Sequence, residues 1–134
     1  MKKSFLALMI FIAVVISGCG RIGADRNGET PVDFTVVEKT AVPEEFLTSI
    51  EQAKAEEFTM TAAIDGYLYI AVGYGQQPTG GYSIRVDSMN EGNDSITLHT
   101  TLLGPGSGEA VNKMATYPYI VLKIENTDKN IIFQ

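Results

Sequence analysis

The sequence predicts an α+β domain that is mainly β: an antiparallel sheet of five or six strands, or a sheet partly rolled into a barrel or sandwich, covered by one amphipathic helix. Three observations carry this. Apolar residues alternate with polar ones from Phe58 nearly to the end of the 134-residue chain. The alternating segments are separated by Gly-, Asn- and Asp-rich turns, as short sequential strands require. Only one stretch ahead of them has the three-to-four-residue apolar spacing of a helix.

The helix comes first. Pro43 suits an opening turn, Glu44 and Glu45 complement the positive end of the dipole, and Phe46, Leu47, Ile50 and Ala53 fall on one face. Phe34–Val37 reads as a short strand before it. Phe58–Ile64 and Tyr67–Tyr74 are strands joined by Asp65-Gly66, a strong two-residue hairpin signal. Leu68, Ile70 and Val72 mark the apolar face of the second strand. After a loop from Gly75 to Gly81, Tyr82, Ile84 and Val86 alternate with Ser83, Arg85 and Asp87. Asn90–Asp94 reads as a turn, and Ile96, Leu98, Thr100 and Leu102 then alternate with Thr97, His99 and Thr101. A Gly/Pro-punctuated loop covers Gly104–Ala115, Tyr119–Glu125 is a strand with Ile120, Leu122 and Ile124 on one side, and Ile131–Phe133 adds a short terminal strand. The helix is expected to cover the apolar face of this sheet.

The N-terminal segment is different. Lys2 and Lys3 precede an apolar run from Phe5 to Ile16, too short for a membrane span of ~20 residues but right for a signal peptide. The run closes on Ile16-Ser17-Gly18-Cys19, which resembles the lipobox of bacterial lipoproteins. That resemblance implies cleavage before Cys19 and a thioether from its thiol to diacylglycerol, hence a bilayer partner and a cell-membrane location on the extracytoplasmic face. Cys19 is the one cysteine of the chain, so no disulfide partner exists within it, and its role as a catalytic thiol would need a positioned base. The expected organisation is a signal peptide over 1–18, a lipidated Cys19 with a flexible Gly-rich tether over 19–32, and a folded domain over 33–134. A tether of about a dozen such residues spans ~20 Å. Losing Lys2 and Lys3 takes the formal charge from −6 to −8. An acidic domain is repelled by anionic lipid, so the acyl chains do the holding. The same charge argues against a nucleic-acid partner.

Little in the sequence points to catalysis. His99 is the single histidine and sits within a strand, without the further His and Cys ligands of a structural zinc site. Ser83, His99 and Asp87 could be assembled into a triad on paper, but no serine is marked as a nucleophile on a strained turn. The acidic cluster Glu44, Glu45, Glu51, Glu56 and Glu57 reads as a solvated helix face, and no tryptophan is present to build a sugar platform beside it. Gly73-Tyr74-Gly75 and Gly80-Gly81 have neither the spacing nor the following helix of a phosphate loop. No cofactor, metal or enzymatic activity is expected. Tyr67, Tyr69, Tyr74, Tyr82, Tyr117 and Tyr119 remain, and tyrosine serves both strand packing and protein-binding surfaces.

Two segments carry a family resemblance. Val72-Gly73-Tyr74-Gly75-Gln76-Gln77-Pro78-Thr79-Gly80-Gly81-Tyr82-Ser83-Ile84-Arg85-Val86, followed about 35 residues later by Thr116-Tyr117-Pro118-Tyr119-Ile120-Val121-Leu122-Lys123-Ile124, resembles the C-terminal domain of the PrcB family over roughly residues 58–125. The founding member is a lipoprotein subunit of a surface protease complex, so the resemblance implies a non-catalytic module assisting the assembly or stability of an exported protease. Pro78 fixes one dihedral and Gly80 and Gly81 allow positive dihedrals or close backbone approach, as in a rigid hairpin loop. Pro78, Thr79, Gly80, Gly81 and Tyr82, with Tyr117, Pro118 and Tyr119 as neighbours, form the candidate binding loop. The stretch Pro78–Tyr82 is also similar to a loop of chagasin-like cysteine-protease inhibitors, although Gln77 and Gly80 depart from that pattern and the other inhibitory loops are not recognisable. An inhibitor is therefore the alternative.

Overall fold

The computed structural model describes residues 29–134. Its elements are β1 (Thr30–Pro31), β2 (Thr35–Val36), α1 (Glu44–Ala53), β3 (Glu57–Ile64), β4 (Tyr67–Tyr74), β5 (Ser83–Glu91), β6 (Ser95–Leu103), β7 (Tyr119–Glu125) and β8 (Asn130–Phe133). The expected signal peptide over 1–18, Cys19 and most of the tether expected over 19–32 lie outside the described residues.

The strands form two four-stranded sheets, β1-β5-β6-β8 and β2-β7-β4-β3, packed face to face, so of the expected layouts the sandwich holds, with eight strands in place of five or six and no rolled barrel. The reason lies in β4, which is buried on both faces. Leu68, Ile70 and Val72 face the second sheet and pack with Met89, Ile96, Leu98, Leu122 and Ile124. Tyr69 and Ala71 point the other way and pack with Val42, Phe46, Ile50 and Val121. A strand that is apolar on both sides needs two covers. The helix therefore does not cover the Leu68–Val72 face, as the sequence suggested; the second sheet does, and α1 takes the opposite side.

Local signals explain the elements. Pro43 is the helix N-cap residue, Glu44 and Glu45 occupy the first turn, and Phe46 and Ile50 are its buried positions. Asp65 (φ 52°) and Gly66 (φ 83°) both take positive φ, the type I′ geometry, and β3 pairs with β4 one-to-one over all eight residues. Strand β5 runs to Glu91, further than the expected turn allowed, and a register shift between Val86 and Ser88 leaves Asp87 as a bulge. The shift changes the alternation, so that Val86 and Met89 both reach the core. Strand β8 pairs with β6 in parallel, which breaks the antiparallel expectation. The link after β7 crosses from one sheet to the other and arrives in the direction of β6.

The bulge carries its own electrostatics. Asp87 accepts hydrogen bonds from Thr101 Oγ1 across the strand pair and from Arg85 Nε. The Thr101 bond, then the Arg85 bond, hold its carboxyl below the usual carboxylate range. A lowered folded-state pKa contributes stability above the unfolded value, and that contribution fades as pH falls through the lowered one. We expect Thr101→Val to move the Asp87 midpoint upward in a carboxyl NMR titration; an unchanged midpoint would contradict this origin.

Candidate functional site

The segment from Gly75 to Tyr82 is not a hairpin. It leaves β4 in one sheet and enters β5 in the other. A crossover without a partner strand must satisfy its backbone groups elsewhere, and here the long loop between β6 and β7 does so. Gln77 and Thr116 exchange two backbone bonds, Gln77 N to Thr116 O at 2.8 Å and Thr116 N to Gln77 O at 3.0 Å. Gly80 N donates to Asn112 O at 2.8 Å, and Thr116 Oγ1 donates to Thr79 O at 2.7 Å. Gln77 Nε2 closes the base of the loop on Tyr74 O at 3.1 Å. The two loops are thus one paired unit.

Within it the candidate residues separate. Gly81 has φ +85°, and a Cβ there would lie 3.0 Å from both Pro105 Cβ and Val111 Cγ1, so glycine is required. Gly80 has neither constraint: a Cβ there would meet Asn112 at an ordinary 3.7 Å. Pro78 and Gly81 are exposed, Thr79 and Gly80 half-buried, and the half-buried Tyr82 lays its ring beside Gly104. Met114 stands out at 67% exposure in the partner loop.

Tyr117, Pro118 and Tyr119 follow Thr116 directly but serve the helix side. The ring of Tyr117 lies 5.5 Å from Lys54 Nζ, and Tyr119 packs against the helix cluster with its hydroxyl buried and unbonded among the described residues. Lys54 in turn pairs with Glu51 at 2.6 Å, and Lys39 reaches the same carboxylate at 3.4 Å. The hydrogen bond from Lys54 is the main reason the Glu51 carboxyl titrates low, and the same bond pushes Lys54 up. A groove of about 350 Å³ between Val36, Lys39, Tyr117 and Pro118 opens beside this group.

The structure does not gather a triad. Ser83 pairs with Leu103, four residues along β6 from His99, which puts Ser83 about 13 Å away along the strand. Asp87 is engaged by Arg85 and Thr101. Among the described residues, no three His, Cys, Asp or Glu side chains are grouped to hold a metal ion. Asn112, Thr116 and Met114 are the residues that sequence reasoning missed. Asn112 acts through its carbonyl, which no side-chain pattern reports; an apolar Met114 in a Gly/Pro-rich loop was a visible signal.

Residues 68–125 fit the family model described as PrcB C-terminal. No curated protein and no solved structure matches the chain. The matched span begins at β4, takes in both paired loops and ends with β7, leaving α1 and β3 outside it. The chain therefore carries a PrcB-like C-terminal domain over residues 68–125.

Proposed function

We propose that this protein is an exported binding module, held at the membrane through a diacylglyceryl thioether on Cys19, that assists the assembly or stability of an exported protease. The match of residues 68–125 to the PrcB C-terminal family is the observation that carries the reading. The lipobox-like Ile16-Ser17-Gly18-Cys19 supports the anchor, and the pairing of the 77–80 segment with 112–116 supports a rigid recognition loop. Pre-ordering of this kind reduces the entropy lost on binding. Pro78, Gly81 and Met114 are its exposed contacts.

The test is crosslinking of the native lipoprotein in intact cells and identification of the bound protease. Gly80→Asp places a charge on the loop where space is free, so recovery should fall about tenfold or more with an unchanged melting temperature. Full recovery in that variant would remove the loop from the reading. Cys19→Ala should shift the protein from the membrane to the soluble fraction; retention in the membrane would overturn the anchor. The second reading is a chagasin-like inhibitor acting through Pro78–Tyr82, and it rests on the resemblance of that stretch alone. Titration against a papain-like protease separates the two: inhibition at micromolar concentration supports the inhibitor, and its absence removes it.

A further inference from the structure

Of the four sheet edges among the described residues, three are two to four residues long: β1, β2 and β8. The fourth, β3, is eight residues long, and its one-to-one register with β4 shows no bulge. Its Phe58–Ile64 stretch contains no charge and no proline. Short strands, bulges, prolines and inward charges are the usual ways of closing an edge to pairing, and β3 uses none of them along its length.

Its free backbone groups can be placed. Ile64 and Tyr67 flank the two-residue turn, so they form a hydrogen-bonded pair, and Ala62, Met60 and Phe58 follow as the residues bonded to β4. The neighbouring ladder agrees: Tyr74 N donates to Pro118 O and Asn126 N to Gly66 O, so the even-numbered positions along β4 serve β7. Thr59, Thr61 and Ala63 therefore direct their N–H and C=O groups away from β4, and no backbone partner meets them among the described residues. Their side chains are exposed, on the face turned toward the second sheet. Beneath them two adjoining hollows form a groove of mixed lining, with the apolar Val72, Leu68, Ile131 and Phe133 beside the polar Thr100, Thr127 and Asn130. Strand β8 is too short to close it.

We propose that β3 is a docking edge for an extended segment of another protein, added antiparallel or parallel as a fifth strand of the β2-β7-β4-β3 sheet. The occupant has an uncharged core with aliphatic or β-branched side chains at alternate positions, which fill the groove, and basic residues at its flanks. The flanks follow from charge. Glu56 and Glu57 stand at one end of β3 and Asp65 at the other, with no basic residue between Ala55 and Gly66. Lys129, at the far end of the groove, is held by Glu91 and by Gly92 O. A second copy of β3 is the wrong occupant. Antiparallel self-pairing brings the Glu56-Glu57 end beside Asp65 of the copy, and parallel self-pairing stacks glutamate on glutamate. The edge is thus open to a basic-flanked strand and guarded against itself. This docking edge is separate from the Pro78–Tyr82 loop and from Cys19, and it stands or falls without them.

The test uses the full chain in mild detergent and the synthetic peptide Lys-Thr-Val-Thr-Val-Thr-Lys. Binding should slow amide exchange at Thr59, Thr61 and Ala63 by about tenfold or more while Phe58, Met60 and Ala62, already bonded, change little. The same peptide N-methylated at every core residue, and one with glutamate flanks, should each bind about tenfold more weakly or worse. Salt at about 0.5 M should weaken the lysine-flanked peptide. Thr61→Pro removes the central outward N–H and should abolish protection; the N-methylated peptide asks the same question of the unaltered chain. No protection at millimolar lysine-flanked peptide, equal binding of the N-methylated or glutamate-flanked peptide, or a dimer with these three amides protected in the absence of peptide would each overturn the proposal.

Discussion

Replacing Ile70 by alanine is expected to cost about 2–5 kcal/mol and to lower the melting temperature by about 10 °C or more. Ile70 has 0% exposure at the middle of β4. Its Cα partners are Thr61 on β3 and Leu122 on β7, the latter also fully buried. Its side chain belongs to the cluster of Met89, Ile96 and Leu98 from the opposite sheet. Removing three carbons leaves a cavity that the surroundings fill poorly, because β4 is fixed by strands on both edges and by packing on both faces. The penalty should therefore sit toward the upper part of the range, a large share of the ~5–15 kcal/mol typical of a domain. Ile70→Val, which removes one methyl, should cost about 0.5–1.5 kcal/mol. Urea unfolding followed by far-UV circular dichroism checks both, since the chain has no tryptophan. A loss below about 1 kcal/mol for Ile70→Ala would mean that the two sheets close over the gap.

That expectation rests on a property of β4 only half legible in the sequence. Period-two alternation locates β3 to β7 well, and Asp65-Gly66 fixes the β3–β4 hairpin at the right place with the right turn. Alternation identifies which residues share a face; it does not identify what covers that face. Leu68, Ile70 and Val72 are evident as one face, while tyrosine and alanine at positions 69 and 71 fit either a core-facing or a solvent-facing side. Composition leaves the single sheet and the sandwich both open for a related reason. Gly75–Tyr82 has the composition of a hairpin loop, and only its partner, the 112–116 segment, holds it as a crossover. That partner acts through the Asn112 carbonyl, the Thr116 hydroxyl and the Gln77–Thr116 backbone bonds. None of these leaves a residue-type pattern. The parallel pairing of β8 with β6 is likewise a consequence of which sheet the last link crosses to. The motif Pro78–Tyr82 was visible as a unit, yet its two glycines looked equivalent. Gly81 alone carries the positive φ and the tight contacts.

The second large effect is at Gly73, where a side chain of any size is expected to unseat the helix side of the central sheet. Gly73 lies opposite Phe58 on β3. A Cβ on Gly73 would collide with Cε1 and Cδ1 of Phe58, so the aromatic ring occupies the space a side chain would need. An aromatic ring laid over a cross-strand glycine covers backbone that glycine alone would leave open to water. The ring cannot yield cheaply, because Phe58 also packs against the cluster of Phe46, Ile50, Tyr69 and Val121 under α1. Overpacking of this sort costs about 1–3 kcal/mol, and Gly73→Val, branched at Cβ, should exceed Gly73→Ala. A double-mutant cycle isolates the cause. In a Phe58→Ala background the space is empty and alanine suits a strand better than glycine by roughly 0.5–1 kcal/mol, so Gly73→Ala should there become neutral or stabilising. The coupling between the two sites should reach at least about 1 kcal/mol. Additive effects in the cycle would place the cost of Gly73→Ala in the backbone, and the ring of Phe58 would then be a bystander to the glycine it covers.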